Sequence, residues 1–190
     1  MRMLAIGAAA LALSACGQTP NSSSVPAPGC ARSATHEIAW TGASAHDVIT
    51  AQSEGPSCSQ AVVTFVARNA HGDPLWAFAS TYTAMTAGEG QPPQDAPAVT
   101  DEQMDAFLSG WANVTQMLSG ELPEWREGVA TLTESAHTFA YSTPFDREVY
   151  EMLRTRNLPM ICYAAAVESS QCLIVDPANH APTMIVAYGP

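Results

Sequence analysis

Ala61-Val62-Val63-Thr64-Phe65-Val66-Ala67-Arg68 and Leu75-Trp76-Ala77-Phe78-Ala79-Ser80-Thr81-Tyr82, separated by Asn69-Ala70-His71-Gly72-Asp73-Pro74, form the stretch on which the fold turns. Both runs are rich in branched and aromatic residues, and the spacer holds Asn, Gly, Asp and Pro, so the pair reads as a β-hairpin. The period of two puts Val63, Phe65 and Ala67 on one face, and Trp76, Phe78 and Tyr82 on one face of the partner strand. That gives a sheet with one side to bury.

Upstream, Glu37 to Thr41 and Asp47 to Ser53 read as two more short strands around the small-residue turn Gly42-Ala43-Ser44-Ala45, with Glu54-Gly55-Pro56-Ser57 as a stop. Downstream, Thr86 to Ala98 is a Gly- and Pro-rich loop. A helix then opens with Thr100 as N-cap and Gln103 at N3, the pattern of a capping box, and with Asp101 and Glu102 favourably placed in its first turn. Met104, Phe107, Leu108, Trp111, Thr115 and Leu118 recur at helical spacing, which predicts a helix reaching Gly120. Trp111 within such a stripe reads as core. A second helix is predicted from near Thr143, with Pro144 at N1 and Asp146 at N3, ending at Pro159. Val129 to Thr133 reads as a further strand. Met160 to Val167, Gln171 to Val175 and Thr183 to Tyr188 supply the last three, the first two joined at Glu168-Ser169-Ser170. The order implies an α+β fold, a mostly antiparallel sheet of about 6–8 strands with two helices packed on one face, forming a single domain over 30–190.

The beginning of the chain has another character. Met1 to Cys16 reads MRMLAIGAAALALSAC: a positive Arg2, then a short apolar run from Met3 to Leu13, then small residues. The run is well short of the roughly twenty residues that span a bilayer, and has the shape of a secretory signal. Leu13-Ser14-Ala15-Cys16 resembles the lipobox of bacterial lipoproteins. That resemblance covers these residues only. It implies diacylglycerol on the Cys16 sulfur, cleavage before Cys16, palmitate or a similar acyl chain on the freed amine, and anchorage by several chains in a membrane of the cell envelope. Lipoproteins with Asp after the lipidated Cys favour inner-membrane retention. Here the residue is Gly17, so delivery to the outer membrane is expected. Gly17 to Gly29 (GQTPNSSSVPAPG) is a Ser- and Pro-rich tether with a reach of roughly 20 Å.

Processing of that signal would leave six Arg, no Lys and eighteen acidic residues, a formal charge of −12. An acidic surface of this kind keeps a domain soluble or steers basic partners. It excludes nucleic acid, since no basic patch displaces counterions from phosphates. Four cysteines remain beside Cys16: Cys30, Cys58, Cys162 and Cys172. An even number in an exported chain reads as two disulfides, in preference to a metal site. Three pairings exist, and Cys30–Cys58 with Cys162–Cys172 is favoured because each links neighbours in sequence. Cys162 and Cys172 differ by an even number, so their bridge requires a diagonal pairing or a bulge.

Catalytic signatures are missing from the sequence: no G-x-S-x-G, H-E-x-x-H, phosphate loop or G-x-G-x-x-G occurs. His36-Glu37-Ile38-Ala39-Trp40 starts like a zinc motif but has Trp at the second His position. His36, His46, His71, His137 and His180 are scattered without ligand spacing; His46-Asp47, His71 with Asp73, and His180 would need the fold to bring them together. Ser44 near His46 is no triad without geometry. Glu121, Glu124 and Glu127 read as solvated charge. No catalytic residue, metal or cofactor is expected. The loop Thr86–Thr100 with the acidic helix start is the nominated binding region. The expected function is a lipid-anchored envelope domain of binding or structural role, with the membrane as first partner. The alternatives are an inhibitor or binder of a cationic protein such as a lysozyme, although no motif of the lipid-anchored lysozyme inhibitors occurs, and a hydrolase of envelope polymers.

Overall fold

The computed structural model describes residues 29–87, 98–135, 140–176 and 178–189. The Leu13–Cys16 motif, the tether up to residue 28, most of the Thr86–Thr100 loop and His137 lie outside the described residues. Strands β1 (Arg32–Ile38), β2 (Asp47–Glu54), β3 (Val62–Arg68) and β4 (Pro74–Thr81) form an antiparallel sheet in the order β1-β2-β3-β4. Helices α1 (Tyr82–Ala87) and α2 (Asp101–Ala112) follow. Then come β5 (Thr115–Leu118), the single turn α3 (Leu132–Ser135), β6 (Ala140–Ser142), α4 (Arg147–Thr155), β7 (Pro159–Ala166), β8 (Ser169–Val175) and β9 (Pro182–Gly189). These strands make a second antiparallel sheet in the order β5-β7-β8-β9-β6.

The fold is α+β, but the expected single sheet of 6–8 strands with two helices on one face is corrected to two sheets of four and five strands. The reason lies in β7 to β9. Met160, Ile161, Cys162 and Tyr163 are buried in succession, as are Cys172, Leu173 and Ile174, and Ile185 and Val186. Strands apolar on both sides need cover on both sides. One face of this sheet, through Ile161, Tyr163 and Leu173, joins the core formed by the first sheet and α2. The other, through Met160, Cys162, Cys172 and Ile174, packs with Leu122, Trp125, Leu132 and the α4 residues Tyr150 and Leu153. The first sheet is one-sided: Ile49, Ala51, Val63, Phe65 and Ala67 point inward, whereas Thr50, Gln52, Thr64 and Val66 alternate with them on the uncovered face.

Several element boundaries differ from the sequence reading. The first strand, expected over Glu37 to Thr41, is β1 at Arg32–Ile38, because the amides of Trp40 and Thr41 turn to the Asp47 carboxylate and leave the ladder. The second helix, expected from near Thr143 to Pro159, is confined to Arg147–Thr155. Tyr82 opens α1 and does not extend β4. Helix α2 stops at Ala112, and Thr115 to Leu118 pair with Cys162 to Pro159 as β5, because pairing an exposed edge of β7 satisfies backbone groups that another helical turn would leave open. Asp146 is the N-cap of α4, accepting from Val149 N at 2.9 Å, so it is not an N3 residue. Val129 to Thr133 forms no strand; Leu132 begins α3. The capping box at Thr100 and Gln103 is present in both directions.

Cys30–Cys58 and Cys162–Cys172 are both bridged. A bulge supplies the register for the second: the β7–β8 pairing shifts between Ala164 and Ala166, so Cys162 faces Cys172 directly. Among the described residues no helix is long and apolar enough to cross a membrane.

Two polar devices hold the first sheet. The Asp47 carboxylate, 1% exposed, accepts from Trp40 N at 2.9 Å, Thr41 N at 2.6 Å and Thr41 Oγ1 at 2.9 Å, and so shapes the β1–β2 loop. On the surface, Arg32 of β1 donates through Nε to Asp105 at 2.9 Å and through Nη1 to Asp101 at 3.3 Å, fastening α2 to the sheet edge. The Arg32 hydrogen bond holds the Asp105 carboxyl below its usual range.

Replacing Asp47 by Ala leaves the buried Trp40 amide and the part-buried Thr41 amide without their acceptor, and should lower the urea-unfolding free energy by about 2 kcal/mol. A lowered carboxyl pKa adds stability that is complete above the unfolded value and is lost as pH falls through the folded one. Stability of the wild-type chain should therefore fall on acidification below about pH 4, and Arg32→Ala should make that acid limb shallower in pH-dependent melting curves.

Candidate functional site

One recess lies where α2 meets the open end of β7. Strand β5 pairs with β7 only from Pro159 to Cys162. Past that point the β7 edge is met by a side chain: Trp111 Nε1 donates to Ala164 O at 2.8 Å. An indole takes the place of the next strand. A groove of about 450 Å³ results, lined by Phe107, Gly110 and Trp111 of α2, by Asn113 and Thr115 after it, and by Ser170 and Tyr188 of the second sheet, among others.

Its floor is rigid and aromatic. Trp111 is 6% exposed and sits 5.5 Å from both Phe65 and Phe107. Beneath it Tyr163 stacks on Phe65 at 4.7 Å, accepts from Trp76 Nε1 at 3.1 Å and donates to Gln171 Oε1 at 2.7 Å. Burial pushes the Tyr163 phenol up, with the Trp76 bond acting against it, so it stays neutral and serves as structure. Phe107 and Tyr188 are half-buried and offer the reachable aromatic surface. None of the lining side chains carries a charge.

Gly110 is the feature without an internal explanation. It lies inside α2, where glycine costs about 0.5–1 kcal/mol relative to alanine. A Cβ added there would meet nothing within 4 Å. Neither close packing nor an unusual backbone angle calls for it, and its effect is to keep the wall of the groove low.

A second, wider recess of about 500 Å³ is lined by Glu37, Ser44, His46 and Gln116. His46 Nδ1 lies 2.6 Å from Glu37 Oε1, with side chains 76% and 64% exposed. The fold thus does bring a histidine and a carboxylate together, but across the β1–β2 loop and in full solvent, where such a pair is worth little. Ser44 shares the recess, yet among the described residues no hydrogen bond joins it to His46. Asp47, next in sequence, is committed to the loop. Proton transfer can be supported here; an ordered nucleophile is not built.

The other named residues serve structure. His71 and Asp73 lie in the β3–β4 turn, each giving its backbone N–H to Asn69 Oδ1 at 2.9 Å. His180 adopts φ 57° in the β8–β9 turn and donates its N–H to Asp176 O. His36 is half-buried on β1, opposite Ile49. Glu121 accepts from Leu118 N at 2.7 Å, Glu124 pairs with Arg154 at 2.6 Å, and Glu127 is exposed, so the three carboxylates do not act as a group. Among the described residues no three His, Cys, Asp or Glu side chains gather as a metal site. In the nominated acidic helix start, Asp101 and Asp105 face Arg32, which leaves Glu102; its carboxyl is lowered by a bond to its own backbone and by Thr100.

Sequence reasoning passed over the groove because its parts are remote: Trp111 and Ala164 meet only once β5 has paired. Gly110 within an otherwise regular helix was the one local signal. No protein-family model matches the chain, and no curated protein or solved structure matches it either.

Because the added methyl meets open space, Gly110→Ala should raise the unfolding free energy by about 0.5–1 kcal/mol in urea titrations.

Proposed function

We propose that the protein is an exported domain held to an envelope membrane by lipid on Cys16, and that its folded part binds a ligand. Cysteine use carries the anchoring half of this reading. The four cysteines among the described residues pair with each other, Cys30 with Cys58 and Cys162 with Cys172, and the fifth, Cys16, stands in the Leu13-Ser14-Ala15-Cys16 context. A thiol at that place is the acceptor that lipoprotein processing uses, and bridges suit an oxidising compartment. Gly17 in place of Asp favours the outer membrane as destination.

The binding half is supported by the groove between α2 and β7: a preformed concavity with a rigid aromatic floor and a few hydroxyl and amide groups is the usual form of a small-ligand site. Binding of a cationic protein is the second reading, favoured by the formal charge of −11 on the full chain. A hydrolase reading would rest on His46 and Glu37 alone.

Replacing Cys16 by Ser should move the protein from the membrane to the soluble fraction and abolish palmitate labelling. A variant that stays in the membrane and still takes up label would refute the anchor. Capture of a basic protein from envelope extract that disappears at high salt would favour the second reading.

A further inference from the structure

We propose that the groove walled by α2 and the end of the β7–β8 hairpin is a binding site for a neutral saccharide. The proposal rests on the binding role above and is independent of lipid attachment.

Charge is the first argument. The chain is 13% charged and strongly acidic, yet the groove's lining holds only Ala, Phe, Gly, Trp, Asn, Val, Thr, Cys, Tyr and Ser side chains. A cation would find no carboxylate there, and an anion no arginine. What remains is an uncharged ligand, and the lining narrows it further. Phe107 offers a half-buried aromatic ring packed on Trp111, and Tyr188 offers a second, packed on Tyr141; Trp111 and Tyr163 are held by their own hydrogen bonds. Asn113, Thr115 and Ser170 add an amide and two hydroxyls at the rim. A sugar ring has the complementary make-up, a C–H face that packs on an aromatic ring and an equatorial belt of hydroxyls that exchange hydrogen bonds with amides and alcohols. A purely apolar chain would leave those rim groups unpaired, and unpaired polar groups count against binding. The volume of about 450 Å³ lies within the range of small-ligand sites.

Gly110 is the second argument and is independent of the first. A helix-interior glycine whose Cβ would touch nothing in the protein disfavours the fold without relieving any internal contact. Its place in the groove wall explains it: the missing side chain leaves room for a ring to lie against the helix backbone.

The test uses the full chain carrying Cys16→Ser, with chitotetraose and maltotetraose as neutral probes, tetragalacturonate as the acidic control and dodecanoate as the apolar-chain control. At least one neutral tetrasaccharide should quench tryptophan fluorescence in titration and shift the amide resonances of residues 110–115 and 162–170. Gly110→Leu, which fills the groove wall, should weaken that binding at least tenfold while its melting temperature stays equal to or above that of the parent. Gly110→Ala should give a smaller loss, which keeps the test open should the larger residue disturb folding. The proposal is overturned if neither neutral sugar binds at millimolar concentration, if the shifts map elsewhere, if Gly110→Leu binds as the parent does, or if tetragalacturonate or dodecanoate takes the groove in their place. Failure of sugar binding together with salt-sensitive capture of a basic protein would remove this proposal and keep the binding role.

Discussion

The Tyr163 side chain is the contact on which the two halves of the molecule depend. Its ring stacks on Phe65 of the first sheet, and its hydroxyl links Trp76 of β4 to Gln171 of β8. Two further indoles reach from the first half of the chain to the second sheet in the same way, Trp40 to Leu173 O at 3.2 Å and Trp111 to Ala164 O at 2.8 Å. Each bond contributes on the order of 1 kcal/mol, but each also satisfies a polar group that burial would otherwise leave unpaired, at a cost of about 1–3 kcal/mol. Three donors with fixed directions set the position of one sheet over the other more sharply than apolar contact alone, which has no preferred direction.

The site follows from this arrangement. Because the second sheet lies between two apolar layers, β5 needs to be only four residues long, and the open remainder of β7 is finished by Trp111. The groove is thus a by-product of docking that the sequence then keeps free of charge and, at Gly110, free of a side chain. The opposite face of the same sheet is closed by α4 and the segment before α3. There Glu151 accepts from Trp125 N at 2.6 Å and Tyr150 donates to Pro123 O at 2.8 Å, so the disulfide Cys162–Cys172 sits within a packed layer.

Much of the first half was legible in the sequence because its signals are local. The alternation from Val62 to Thr81 belongs to a sheet with one wet face, and Thr100 with Gln103 marks a helix start by direct contact. In the second half the strands are legible one by one, but their place in a separate sheet is not, because neighbouring strands in sequence are expected to share a sheet. The unbroken apolar run from Met160 to Tyr163 is the local sign of cover on two sides. The end of α2 was hidden for another reason: Thr115 and Leu118 keep helical spacing, and only the competing edge of β7 decides that they become a strand. The groove and the His46–Glu37 contact rest on pairings across loops, which no spacing rule contains. Cysteine arithmetic succeeded because the four folded residues could be matched to nearest neighbours.

The central claim is that the two sheets form one cooperative core through Tyr163 and the three indoles, with the groove as part of that core. Native-state amide hydrogen exchange tests it most directly. The account predicts that the slowest amides of β3 and of β7 open with one shared free energy and respond equally to denaturant. Separate opening of the two sheets, with β7 to β9 exchanging while β1 to β4 stay closed or the reverse, would contradict it.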